Sequence, residues 1–174
     1  MLPVNFRSYR KKLSLYRKSF RSFLNRSEKN PPRGINSLTT KIEPEIWAEV
    51  DCLSCANCCK KMTPTFTPQD LKRISAHFNQ TPEAFRKQWL KKDSNKDLVN
   101  KTEPCQFLNL KDNKCSIYEI RPADCAGFPH LSKSKWSEYA HVHKQNIDYC
   151  PATFKMVEKI KLIVEAKGKA VKNV

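Results

Sequence analysis

Glycine is nearly absent: the 174 residues contain three, Gly34, Gly127 and Gly168. A dinucleotide-binding turn or a phosphate-cradling loop needs several glycines close together, so no nucleotide cofactor is expected. Long apolar runs are missing as well. Mean hydropathy is −0.68, charged residues make up 29%, and no stretch is apolar enough to span a bilayer. The opening "MLPVNFRSYRKKLSLYRKSF" lacks the apolar segment of about 7–15 residues that a secretory leader needs. It is rich in Arg and Ser and poor in acid, which leaves a transit peptide open. No G-x-S-x-G, His-Glu-x-x-His or paired-acid signature occurs, and the acids are scattered.

Acid is scarcest at the start. Residues 1–40 hold ten Lys/Arg against one acid, Glu28, while residues 41–174 hold 23 against 16, for a net charge of +16. A basic arm of this kind suits nucleic acid, a ribosome or an anionic membrane surface, reached through residues 1–33. The plainer alternative is a solubilising tail. Phe6, Tyr9, Leu13, Tyr16, Phe20 and Phe23 step by three and four, one face of a basic amphipathic helix that "NPPRG" ends. That aromatic stripe either meets lipid or RNA or docks on the domain that follows.

Cysteine, by contrast, is abundant, with eight residues. Without a leader an oxidising compartment is not expected, so the reading is a cytoplasmic protein with reduced thiols, and clustered thiols there are metal ligands or redox groups. "CLSCANCC" sets Cys52, Cys55 and Cys58 at Cys-x-x-Cys spacing and adds Cys59 directly after. A Cys-x-x-Cys turn aims two sulfurs at one ion, and the three-thiolate run resembles a ferredoxin-type grip. Zinc sites and four-iron clusters both take four thiolates, so zinc and an iron–sulfur cluster stay undecided. Eight cysteines suit two such sites, or one site and a redox pair. Neighbouring side chains diverge by about 100° in a helix and about 180° in a strand, so Cys58 and Cys59 are expected to serve different sites.

Cys105 and Cys115 fall on the two arms of "CQFLNLKDNKCSIYEI", which alternates and turns at "KDNK", a hairpin over about 105–118. Cys125 lies in the turn or short helix after Pro122, near Arg121, which either offsets thiolate charge or pairs with Glu119 or Asp124. Cys150 precedes Pro151 at the expected N-cap of the last helix, where free amides stabilise a thiolate. His77, His130, His141 and His143 are read as ordinary structural residues, with His130 the best placed of them as a nitrogen ligand.

Two further helices are marked by "TPQDLKRISAHF" and "TPEAFRKQWLKK", each with Thr at the N-cap and Pro at the first position. Leu71, Ile74 and Phe78 form one core face; Phe85, Trp89 and Leu90 form another. Residues 35–50 read as a connector. "SKWSEYAHVHKQN" reads as a weakly marked helix. The last helix starts at Pro151 and turns Phe154, Val157, Ile160 and Val164 inward. The fold class is α+β, mostly helical: residues 1–40 as arm and linker, and residues 41–174 as a small single domain with a short hairpin organised around cysteine-bound metal.

"CLSCANCC", "PCQFL", "KCSIYEIRPADCAGFP" and "YCPAT" together resemble the YkgJ family of cysteine-cluster proteins, described as zinc- or iron-chelating, over about residues 50–155. The resemblance implies that Cys52, Cys55, Cys58, Cys59, Cys105, Cys115, Cys125 and Cys150 form the chelating set, and it implies a bacterial cytoplasmic protein. Relatives often carry a basic residue where Ala126 stands, so no charge role is expected there. The motif also occurs in flagellin lysine methylases, but this chain is too short and glycine-poor for an evident S-adenosylmethionine site. Three functions stay open: a metal-binding protein with a redox or metal-linked role, an RNA-, ribosome- or membrane-surface-binding protein with structural zinc, and a cluster-assisted oxidoreductase or protein-modifying enzyme.

Overall fold

A computed structural model describes residues 4–132 and 135–172, with side chains described to Gly168 at that end. Of the lysine-rich stretch at 167–172, the side chains beyond Gly168 lie outside the described residues. The elements run α1 (Phe6–Lys29), α2 (Ile35–Glu49), α3 (Cys52–Cys55), α4 (Asn57–Lys61), α5 (Pro68–His77), α6 (Pro82–Trp89), β1 (Leu90–Lys92), β2 (Leu98–Asn100), β3 (Leu108–Asn109), β4 (Lys114–Cys115), a 3-10 turn (Tyr118–Ile120), α7 (Ala123–Gly127), α8 (Trp136–Asn146) and α9 (Pro151–Lys172). The fold is α+β and mostly helical, with two small antiparallel strand pairs. The chain divides into two compact units, residues 1–52 with 129–174, and residues 53–128.

The first unit is helical. Asn5 caps α1 by accepting from the Ser8 N–H at 2.9 Å. The aromatic stripe of α1 turns inward: Tyr9, Phe20, Phe23 and Leu24 are buried, and the Tyr9 hydroxyl donates to the Ile147 carbonyl at 2.6 Å. Tyr9 and Phe20 both pack on Phe154 of α9, at ring separations of 5.5 and 5.0 Å. The stripe therefore docks on protein. Ion pairs fix its flanks, Arg17 and Arg21 to Asp148 and Lys12 to Glu158.

Residues 35–50, expected as a connector, form α2 instead. Gly34 starts it at φ 74°, a left-handed conformation that glycine adopts without strain. Pro44 lies inside this helix, which is what obscured the helical signal. Ile35, Ile42 and Ile46 are buried against the unit's core. In α9, Phe154, Val157 and Ile160 are buried as expected. The Phe154 N–H donates to the Cys150 carbonyl at 3.0 Å, so Cys150 holds the N-cap place.

The second unit is built on a small core of Phe66, Ile74, Phe85, Leu90, Phe107 and Ile117. Phe85 and Phe107 stack with rings 6.2 Å apart and nearly parallel, and Trp89 closes on Phe107 at 5.3 Å. The capping box of α5 is present in full: Thr67 Oγ1 accepts from the Asp70 N–H, and Asp70 accepts from the Thr67 N–H at 3.0 Å. Helix α6 is shorter than "TPEAFRKQWLKK" suggests. The chain turns extended at Leu90, and β1 pairs with β2 in register Leu90–Asn100 and Lys92–Leu98. The expected hairpin exists as β3 with β4, Leu108 opposite Cys115, but each strand is two residues long. Cys115 lies on β4, and Cys105 stands three residues before β3.

Candidate metal centre

No disulfide joins any of the eight cysteines among the described residues. Cys52 and Cys150 belong to the first unit; Cys55, Cys58, Cys59, Cys105, Cys115 and Cys125 belong to the second. Within the second unit four elements deliver sulfur to one region. Helix α4 carries Cys58 and Cys59. The loop before β3 carries Cys105, pinned by its N–H donating to the Cys59 carbonyl at 2.9 Å. Strand β4 carries Cys115, and α7 carries Cys125. Every pair among Cys59, Cys105, Cys115 and Cys125 interacts electrostatically, each sulfur lying in the field of the other three.

The route into α4 is unusual. Ala56, between α3 and α4, sits at φ 45° and ψ 19°, the left-handed region. A side chain disfavours that conformation by about 1–2 kcal/mol. It lets the chain end one short helix and begin another within a single residue. Asn113 anchors the stretch by donating from Nδ2 to the Ser54 carbonyl at 3.1 Å.

Cys58 and Cys59 do not diverge as neighbours on a helix were expected to. Their sulfurs are 3.8 Å apart. Side-chain rotation about χ1 brings together what the backbone sends apart. For a metal–sulfur bond of about 2.3 Å, the edge of a sulfur tetrahedron is about 3.8 Å.

The protonation chemistry of the thiols is uneven. The Cys58 thiol hydrogen-bonds to Cys59 and pulls its pKa down to about 7, against the opposing effect of burial and with help from Lys60. Burial pushes Cys105, Cys115 and Cys125 up instead, and the neighbouring thiolates add to the rise. Four thiolates cannot gather there unless a cation replaces their protons. Among the described residues, no three His, Cys, Asp or Glu side chains already form an ion site. The donors nonetheless fit a thiophilic ion in type: a sulfur pair at the right edge length, with Cys105, Cys115 and Cys125 as candidates for the two remaining places of a four-thiolate site.

Two positioning residues escaped sequence reasoning. Asp70 is fully buried, and beyond its capping role it accepts from the Ala123 N–H at 3.1 Å and from Arg73 at 2.8 Å. It thereby ties α5 to the start of α7, the helix that carries Cys125. Burial alone raises its pKa, but the hydrogen bonds from Thr67, Ala123 and Arg73 outweigh it and hold the carboxyl below its usual range. Asn100 is 2% exposed. Its Oδ1 accepts from Gln106 at 3.0 Å, while its Nδ2 has no conventional hydrogen-bond partner and lies beside Cys105, where its amide lowers the thiol pKa. A Thr-x-x-Asp cap was visible in the sequence; nothing marked its second partner, and nothing marked Asn100.

The other sequence candidates settle as follows. Arg121 lies over the Tyr118 ring at 3.9 Å, donates to the Tyr118 carbonyl, and lowers the pKa of Cys115. His77 ends α5, edge-on to Phe78 at 5.4 Å. His130, in the first unit, lies beside Tyr139 at 5.1 Å, and His141 is exposed on α8. His143 is 1% exposed and packs on Trp136.

Residues 51–151 match the CxxCxxCC family, described as "Putative zinc- or iron-chelating domain". The chain belongs to this family. The matched span contains all eight cysteines, so zinc or iron is the metal class the family brings to them. No solved structure matches the chain. No described helix is long and apolar enough to cross a membrane.

Proposed function

We propose that the protein binds one zinc or iron ion through thiolates of its second unit, centred on Cys59, and that this ion completes the fold of residues 53–128. The observation that carries the reading is the 3.8 Å contact between the Cys58 and Cys59 sulfurs, with Cys105 tied to the same stretch by its N–H donating to the Cys59 carbonyl at 2.9 Å. That contact favours a single ion over a four-iron cluster. In a cluster each thiolate holds its own iron, so two ligand sulfurs stand farther apart than on one ion. The need for an ion follows from the small core. One cluster of six buried hydrophobics, with partly buried neighbours, forms the main core of a 76-residue unit, and small domains of this kind gain stability from a structural metal.

The chemistry such an ion supplies depends on its identity. Zinc is redox-inert and structural in a closed thiolate site, whereas iron opens a redox role. A thiolate-bound ion of either kind needs its cysteines kept reduced, which fits a reducing compartment. Anaerobic purification followed by elemental analysis and a visible spectrum tests the reading. About one ion per chain is expected, lost or weakened in Cys59→Ser. Metal-free protein with every thiol freely reactive at native pH would overturn it. A broad sulfide-to-iron band with four irons per chain would replace the single ion by a cluster.

A further inference from the structure

The first unit carries 20 Lys/Arg against 9 Asp/Glu, and the second 13 against 8, so most of the excess of 16 lies in the first. Within it, α1 supplies nine basic residues and one acid, Glu28. Its flanks are consumed by pairing: Lys12 with Glu158, Arg17 and Arg21 with Asp148, Arg26 with Glu165. Glu28 itself pairs with Lys144. Arg7, Arg10, Lys11, Lys18 and Lys29 are left exposed outside these ion pairs, Lys29 adding only to the field at Glu28. At 3.6 residues per turn, Arg7, Lys11, Ser14, Lys18, Ser22, Asn25 and Lys29 fall along one line. That line faces away from buried Tyr9, Phe20, Phe23 and Leu24.

A helix of 24 residues is about 36 Å long, close to one turn of duplex nucleic acid at about 3.4 Å per base pair. We propose that this face of α1 binds the phosphodiester backbone of duplex nucleic acid. Three observations favour that partner. The stripe bears charge and small hydrogen-bonding side chains, the chemistry that contacts phosphate oxygens. It has no aromatic side chain on it, and single-stranded ligands need aromatic platforms for stacking; Tyr16, 45% exposed, lies off the stripe and stacks on Phe20 at 5.9 Å. The apolar face that an interfacial membrane helix would insert is buried inside the unit.

The test uses the full chain and 20-base-pair DNA and RNA duplexes, with fluorescence anisotropy read across a salt series. Four phosphate contacts, from Arg7, Lys11, Lys18 and Lys29, predict a slope of log K against log salt of about −3 to −4, since each contributes about −0.9. The variant Arg7→Gln/Lys11→Gln/Lys18→Gln should flatten the slope by about 3 and weaken binding at least tenfold at low salt. A control, Lys87→Gln/Lys91→Gln/Lys92→Gln in the second unit, removes the same charge and should leave the slope within one of the parent. Circular dichroism confirms that both variants keep their helix. Absence of duplex binding at low salt, equal loss in both variants, stronger retention on single strands, or preferential capture by phosphatidylserine vesicles over duplex would each overturn the proposal.

Discussion

The buried carboxylate of Asp70 accepts the backbone N–H of Ala123 at 3.1 Å, joining a helix cap in the core to the helix that presents Cys125. The same oxygen set takes Thr67 and Arg73. Removing it leaves four donor groups, the Thr67 N–H and hydroxyl, the Ala123 N–H and Arg73, without their acceptor at a buried position. Asp70→Ala should therefore cost about 3 kcal/mol or more of stability, read as a lower denaturant midpoint. Because the folded pKa is depressed, this stabilisation is full above the ordinary carboxylate range and is lost as pH falls through the lower folded value. The parent should lose stability on acidification in that window, and the variant should lose less. Equal midpoints for parent and variant at pH 7 would remove Asp70 from its structural place.

In the metal-free second unit Cys59 should be more reactive than Cys105, Cys115 and Cys125. Its pKa of about 7 gives substantial thiolate at neutral pH, while burial keeps Cys105, Cys115 and Cys125 protonated. Timed alkylation with iodoacetamide and peptide mapping measures the order. Cys59 is expected to label at least tenfold faster than Cys125, and added zinc should suppress the difference. Cys58→Ala should slow Cys59, since it removes the hydrogen bond that stabilises the thiolate. Uniform labelling of the four would contradict the geometry.

Much of this was legible in the chain, and the reasons are local. Thr67-Pro68 and Thr81-Pro82 announce helix starts by caps that depend on adjacent residues only, and both hold. The inward face of α9 and the aromatic stripe of α1 follow from spacing alone. The failures come from interactions distant in sequence or from single conformational choices. Helix α2 hid behind Pro44, whose helix-breaking tendency is outweighed by burial of Ile42 and Ile46 on either side. Leu90 left its helix because β2 offers it a partner at Asn100. The contact of Cys58 with Cys59 turns on side-chain rotation, which backbone periodicity does not specify. Asp70 and Asn100 gain their second roles from residues 53 and 5 positions away, Ala123 and Cys105.

His143 should make the first unit acid-sensitive. It is almost fully buried on α8 against Trp136, and neither ring nitrogen has a hydrogen-bond partner among the described residues. Burial, with smaller contributions from His130 and His141, lowers its pKa to about 4 from an ordinary 6.5. The folded state thus refuses a proton that the unfolded chain accepts, so stability is complete above about pH 6.5 and falls as pH drops towards 4. The loss reaches about 3 kcal/mol by linkage. His143→Leu should remove most of that slope between pH 6.5 and 4 in thermal unfolding, while leaving the Asp70-linked decline at lower pH. A parent whose Tm is flat across this window would show that His143 charges freely in the fold.

Asn100 offers the sharpest test of the metal centre that spares every sulfur. Its Nδ2 is buried without a conventional partner beside Cys105, while Gln106 and Thr63 fix the rest of the residue. An amide in that place donates to the thiolate once the proton has left, and such outer hydrogen bonds are worth about 10–100-fold in metal affinity. Asn100→Asp keeps the shape and the acceptor for Gln106, but replaces the donor with a second negative charge. Competition with a coloured chelator should show zinc affinity reduced by about 10–100-fold, with the metal-free fold unchanged by circular dichroism. Unaltered affinity would separate Asn100 from the centre, whereas loss in Cys59→Ser but not in Asn100→Asp would keep the thiolate site and discard only its amide donor.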